Sequence, residues 1–253
     1  MTVTPQKTSI RPFACLAAGR QLIAGDNFFT VMLAGVAVPF LFILPLPGLA
    51  AGPAICGLWY IFFRLLRKEE VQLPDILMGF RWFGPSFVAA LLVGLLWCAL
   101  FVPPFTLLVW YLSSLDPVTA DSMNPILVAV PLLYAAFFGA TWVVSILFLF
   151  AFGLIVDRGM GPIEALRTSV QGAFLNLPGL IGLSFLNGII VPIGWALCYV
   201  GIGFTLPLAL GATAIAYVRI FGLSEAGPTK ARRGPSALDQ VLSEAHENEQ
   251  GPA

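Results

Sequence analysis

Side chains able to do chemistry are few in this sequence, and they do not converge. The single histidine, His246, stands in a polar C-terminal stretch, and Cys15, Cys56, Cys98 and Cys198 are scattered with no Cys-x-x-Cys pair. A metal centre gathers several His, Cys or carboxylate ligands, and none gather here. We therefore expect no metal and no cofactor. The cysteines read as small buried thiols, with a Cys56–Cys198 bridge near predicted outer helix ends as the alternative. No nucleophile elbow, P-loop or dinucleotide fingerprint occurs, and glycines such as Gly201 and Gly203 stand inside an apolar run. The residues point away from an enzyme, and no catalytic residue is expected.

Two sets of residues remain that suit binding. One is cationic: Arg64, Arg67 and Lys68 in a cluster, then Arg81, Arg158 and Arg167. Basic residues at a membrane rim attract anionic lipid headgroups by about 1 kcal/mol each, although such residues also serve topology alone. The other set is polar and lies within apolar runs: Thr141, Ser145, Ser184, Asn187 and Thr205. Hydroxyls and amides in such runs bond between helices. Ser184 and Asn187 are the two that would instead line a polar cavity.

The elements that must position these residues follow from composition. Of 253 residues, 58% are hydrophobic and 10% charged, whereas soluble domains carry about 25% charged residues. So much apolar side chain exceeds what a core of this size hides, and lipid is its natural solvent. A stretch of about 20 apolar residues crosses the hydrocarbon layer. That ruler predicts an all-α membrane protein of six transmembrane helices: 28–46, 50–66, 86–112, 126–156, 178–197 and 200–221. The long third and fourth spans are expected to tilt or kink, at Pro103-Pro104 and Pro131. Gly48 and Gly52 fall at the first outer turn, where a turn role is expected over packing. All thirteen Lys and Arg fall on the side of the two termini, and the opposite connections hold none. That asymmetry predicts both termini in the cytoplasm.

Pro12, Pro74 and Pro162 each open a short amphipathic stretch leading into an odd-numbered span, because proline suits a first helical position. Asp75 and Glu164 stand in first turns, where acids complement the helix dipole. Ile76, Leu77, Phe80 and Phe83 are expected on one face, with Asp75 and Arg81 off it. Ile163, Leu166, Val170, Ala173 and Phe174 repeat that face against Glu164, Arg167 and Gln171. The expectation is three hairpins, each preceded by an amphipathic helix in the membrane plane. Residues 1–9 are expected to be a flexible N-terminus, 10–222 the membrane domain, and 223–253 a disordered cytoplasmic tail.

Three motifs carry a resemblance: Gly79-Phe-Arg-Trp-Phe-Gly-Pro85, Val156-Asp-Arg-Gly-Met-Gly-Pro-Ile-Glu-Ala-Leu-Arg-Thr-Ser169, and Gly203-Phe-Thr-Leu-Pro207 followed by Ala216-Tyr-Val-Arg-Ile-Phe-Gly222. Across residues 10–222 the chain resembles a broad group of bacterial six-helix inner-membrane proteins of uncharacterised activity. It is similar too to the non-catalytic membrane domain of some glycerophosphodiester phosphodiesterases. The resemblance implies six helices in a bacterial plasma membrane and no catalytic residues. Together these readings predict a non-enzymatic scaffold, accessory subunit or lipid-interacting factor. The alternative is a small transporter or permease for an uncharged or lipidic substrate. Membrane lipids are the expected partners, with a protein partner through the tail and no nucleic acid.

Overall fold

Helix starts follow the prolines. The computed structural model describes residues 4–25, 28–43, 47–113, 120–197 and 200–224, and these contain helices and no strand. Helix α1 spans Pro12–Ile23, α2 Phe28–Ile43 and α3 Pro47–Leu66. A 3₁₀ segment, Leu73–Trp82, runs straight into α4, Phe83–Ser113. Then come α5 (Ala120–Leu147), α6 (Ala151–Arg158), α7 (Pro162–Leu175), α8 (Leu177–Ala196) and α9 (Val200–Phe221). Pro12, Pro74 and Pro162 each sit in the first turn of their element, where a missing N–H leaves no bond unmade. Each of these prolines thus opens a short element that leads into longer helices, and the eight-residue α6 stands outside that order.

Four helical runs among the described residues are long and apolar enough to cross a membrane: Leu73–Tyr111, Val130–Arg158, Leu177–Ala196 and Gly201–Phe221. Two shorter apolar helices, Phe28–Ala37 and Gly52–Leu66, accompany them. Such a set is compatible with a multi-pass membrane protein.

The core lies around α9, against which α1, α2, α3 and α8 pack. Helices associate in lipid by close packing, and small residues allow it. Gly19 of α1 backs onto α9 so tightly that a Cβ there would lie 2.5 Å from the Ala212 nitrogen. Gly57 of α3 and Gly79 of the 3₁₀ segment face each other, and a methyl on either would overlap backbone of the opposite element. Large rings then fill the core between α3 and α9. Tyr217, fully buried, has its ring centroid 5.5 Å from Trp59, 5.1 Å from Phe63 and 5.2 Å from Phe221.

Several expectations change at this level. Gly48 and Gly52 lie inside α3 rather than in a turn, and a Cβ on Gly52 would lie 2.6 Å from the Ser86 carbonyl, so packing is its role. The Cys56–Cys198 bridge is not formed: Cys56 is a buried free thiol inside α3, and Cys198 lies outside the described residues. Gly84-Pro85 does not break the helix, because Pro85 falls in the first turn of α4, where it is tolerated. The expected fourth span is interrupted at 148–150, away from Pro131. Ser169 of α7 holds that break. Its hydroxyl donates to the Leu147 carbonyl at 2.8 Å and accepts the Phe150 N–H at 3.2 Å, so a side chain from outside replaces the interrupted helical bonds.

Candidate functional site

The strongest concentration of polar groups lies where α3, α6 and α9 end. Asp157, in the last turn of α6, has a side chain with 0% exposure. Its Oδ1 accepts from Arg67 Nη2 at 3.1 Å and from the Ser224 hydroxyl at 2.7 Å. Its Oδ2 accepts from the Tyr217 phenol at 3.0 Å, with Arg158 Nε at 3.5 Å, and the Ser224 N–H reaches both oxygens. A carboxylate removed from water needs such a set of charged partners and donors. Local structure places them: Gly159, at φ 63°, ends α6 just after Arg158, and Gly222, at φ 69°, ends α9 just before Ser224. Arg158 then donates through Nη2 to the Phe221 carbonyl at 2.7 Å, closing the C-terminus of α9.

A second knot joins α3 to the 3₁₀ segment. Arg64 donates through Nη1 to Asp75 Oδ2 at 2.6 Å and through Nε to Glu69 Oε2 at 3.1 Å. Asp75 also accepts the Gln72 N–H at 2.8 Å, so one carboxylate caps the segment and ties it to α3. Lys68 occupies the left-handed position after α3, at φ 56°. The flanking bonds, Lys68 N–H to the Leu65 carbonyl and Glu69 N–H to the Arg64 carbonyl, form the Schellman closure usually given to glycine.

Of the six expected headgroup residues, Arg64, Arg67 and Arg158 therefore spend their donors inside the protein, and Lys68 serves a helix end. Arg81 and Arg167 are exposed and form no ion pair among the described residues. Of the two intramembrane candidates, Ser184 accepts from the Trp142 indole at 2.8 Å, joining α8 to α5. Asn187 donates to the Thr213 hydroxyl at 3.2 Å and the Ala209 carbonyl at 3.4 Å, joining α8 to α9. Its Oδ1, like the Thr141 hydroxyl on α5, is buried and has no partner among the described residues.

Sequence reasoning passed over Asp157, Tyr217, Ser169 and Asn176. For Asp157 a signal existed: a carboxylate directly after an apolar run costs too much to stand unpartnered. Asn176, 3% exposed, closes α7 and opens α8. It accepts the Thr8 N–H at 2.8 Å and donates to the Gln6 and Gly172 carbonyls at 3.0 Å. The Gln6 N–H meets the Ile220 carbonyl at 3.0 Å. Residues 4–9, expected as part of a flexible N-terminus, are thereby stitched across α7, α8 and α9. The tail expected from 223 likewise begins pinned, at Ser224, and residues 225–253 lie outside the described ones. Among the described residues no group of three His, Cys, Asp or Glu could hold a metal ion.

Comparison of the chain with protein-family models, curated proteins and solved structures finds no match in any of the three.

Proposed function

We propose that this chain is a non-enzymatic, six-span protein of the bacterial plasma (inner) membrane that works by association, as a scaffold, accessory subunit or lipid-interacting factor. The saturation of Asp157 carries this reading. Both of its oxygens are engaged by Arg67, Tyr217 and Ser224, with Arg158 beside them, so the most polar buried point of the molecule serves to lock three helix ends. The same lock fixes where the tail leaves the membrane domain, which suits a tail that carries a protein partner. The six spans, three hairpins and cytoplasmic termini follow from the apolar runs and the one-sided distribution of Lys and Arg. Reporter fusions at Lys7, Lys68, Gly161 and Ser236 should read cytoplasmic and those at Pro117 and Asp121 external; an external signal at Gly161 would sink this topology.

A small permease is the second reading. The unpartnered Asn187 Oδ1 and Thr141 hydroxyl favour it, because buried polar atoms without partners suit a passing polar group. Solute uptake by reconstituted vesicles separates the two. Uptake that survives deletion of 225–253 and vanishes in Asn187→Leu would establish the permease and overturn the association reading. No uptake, together with partner recovery that falls when the tail is removed, is the expected result.

A further inference from the structure

The three proline-led elements share a surface design that the sequence periodicity did not disclose. The inward faces are mostly of small residues: Cys15, Ala18 and Gly19 on α1, Gly79 on the 3₁₀ segment, and Ala165, Gly172 and Ala173 on α7 are buried, with Ile23 and Ile76 the large apolar residues beside them. Each turns large apolar side chains outward, among them Phe13 at 74%, Leu77 at 55% and Phe174 at 63% exposure. The outward stripe of each element also contains one arginine. Phe13 and Arg20 lie two turns apart on one side of α1. Met78 and Arg81 eclipse each other at the three-residue repeat of a 3₁₀ helix. Ile163, Arg167 and Phe174 share one stripe of α7. Arg81 stands off the Leu77–Phe80 stripe, as expected, with Met78 beside it, whereas Arg167 lies within about 40° of Ile163 and Phe174, so the expectation that it stands off the apolar face is corrected.

Arg20, Arg81 and Arg167 are all exposed, and their side chains form no ion pair or hydrogen bond among the described residues. Glu164, on α7, lies about 100° around the helix from Ile163 and makes no ion pair with Arg167. The contrast with Arg64, Arg67 and Arg158 is complete, because those three are consumed by Asp75, Glu69, Asp157 and the end of α9. A large apolar side chain next to an uncompensated guanidinium matches one environment in particular. At the boundary of a phospholipid leaflet the apolar group meets acyl chain while the long arginine stem carries its charge to the phosphate.

We propose that α1, the 3₁₀ segment and α7 are three docking points for anionic phospholipid at the cytoplasmic rim, with Arg20, Arg81 and Arg167 as the phosphate-binding side chains. The proposal rests on the association reading and names its lipid partner. It is tested on the full chain in mild detergent, offered equal amounts of phosphatidylglycerol and phosphatidylcholine and read by native mass spectrometry. The wild type retains phosphatidylglycerol in preference. Arg20→Gln, Arg81→Gln and Arg167→Gln each weaken that retention about fivefold, and lysine at the same position restores it. The triple glutamine variant holds the two lipids alike. Equal retention by the wild type, or an unchanged preference in the triple variant, overturns the proposal. Displacement of the lipid by millimolar inorganic phosphate overturns it in favour of a simple anion site. The three arginines are exposed, so in detergent without added lipid the unfolding temperature stays at the wild-type value; a fall under those conditions would make them structural and overturn it too. Solute uptake by vesicles would defeat the association reading while leaving a lipid preference standing. Equal lipid retention defeats this proposal alone.

Discussion

Helices α4 and α9 both belong to runs apolar enough to cross a membrane, yet the structure treats them in opposite ways. Of the spanning window in Gly201–Phe221, 72% is buried inside the protein, against 11% of that in Leu73–Tyr111. The buried helix is the one rich in small residues, with Gly203, Gly211, Ala212, Ala214 and Ala216 turned to its neighbours. The exposed helix carries Leu91, Leu95, Leu107 and Trp110 outward. In water the greasiest helix would be the core; in lipid it faces the solvent, because apolar contact between helices gains little over contact with acyl chains. Close approach and polar bonds decide what is buried. Even the contact between α4 and α5 is open, an apolar cleft lined by Phe101, Pro104, Phe105, Leu133, Tyr134 and Phe137.

That comparison can be broken most sharply at Asp157. Asp157→Ala leaves Arg67 and Arg158 without their carboxylate, and a loss of about 3–5 kcal/mol is expected on unfolding in detergent. A change near zero would mean that the ends of α3, α6 and α9 are held by apolar packing alone. Glycine substitutions sharpen the contrast next. Gly57→Val should cost up to about 3 kcal/mol because backbone must move. Gly94→Ala and Gly139→Ala, where an added Cβ meets nothing within 4 Å, should be neutral or stabilise by up to about 1 kcal/mol. Equal effects in the two regions would erase the distinction between packed and lipid-facing helices. Ser169→Ala removes two bonds across the 148–150 break and should cost about 2 kcal/mol, with faster amide exchange at Phe150 as the local readout. The smallest loss is expected at Asn187→Leu, about 0.6 kcal/mol for each interhelical bond of its amide. A loss several times larger there would give the α5–α8–α9 polar groups a weight that ordinary helix pairing does not explain.

The short elements show how far the residues themselves could be read. Their starts were legible because proline at a first helical position acts locally, as were the acids Asp75 and Glu164 in the first turns. Which face each element buries was not legible. Periodicity marks an apolar face, and Leu77, Phe80 and Phe174 on it are exposed, but it does not show that the small residues between form the face packed on the protein, which only the neighbours reveal. The candidate cations divide in the same way. Arg64 and Arg81 look alike in sequence, but one meets Asp75 across two elements and the other has no ion pair among the described residues.

The sequence by itself determined that this is an apolar, helical chain suited to a membrane, with helix starts at Pro12, Pro74 and Pro162. Those properties depend on composition and local backbone geometry. Tertiary structure alone decided that Asp157 would meet Arg67, Tyr217 and Ser224, that Ser169 would hold a helix break twenty residues away, and that Asn176 would gather Gln6 and Thr8. These pairings join residues up to 170 positions apart. A polar group withdrawn from water takes whichever partner the packing of small residues brings within bonding distance, and no local pattern encodes which one that is.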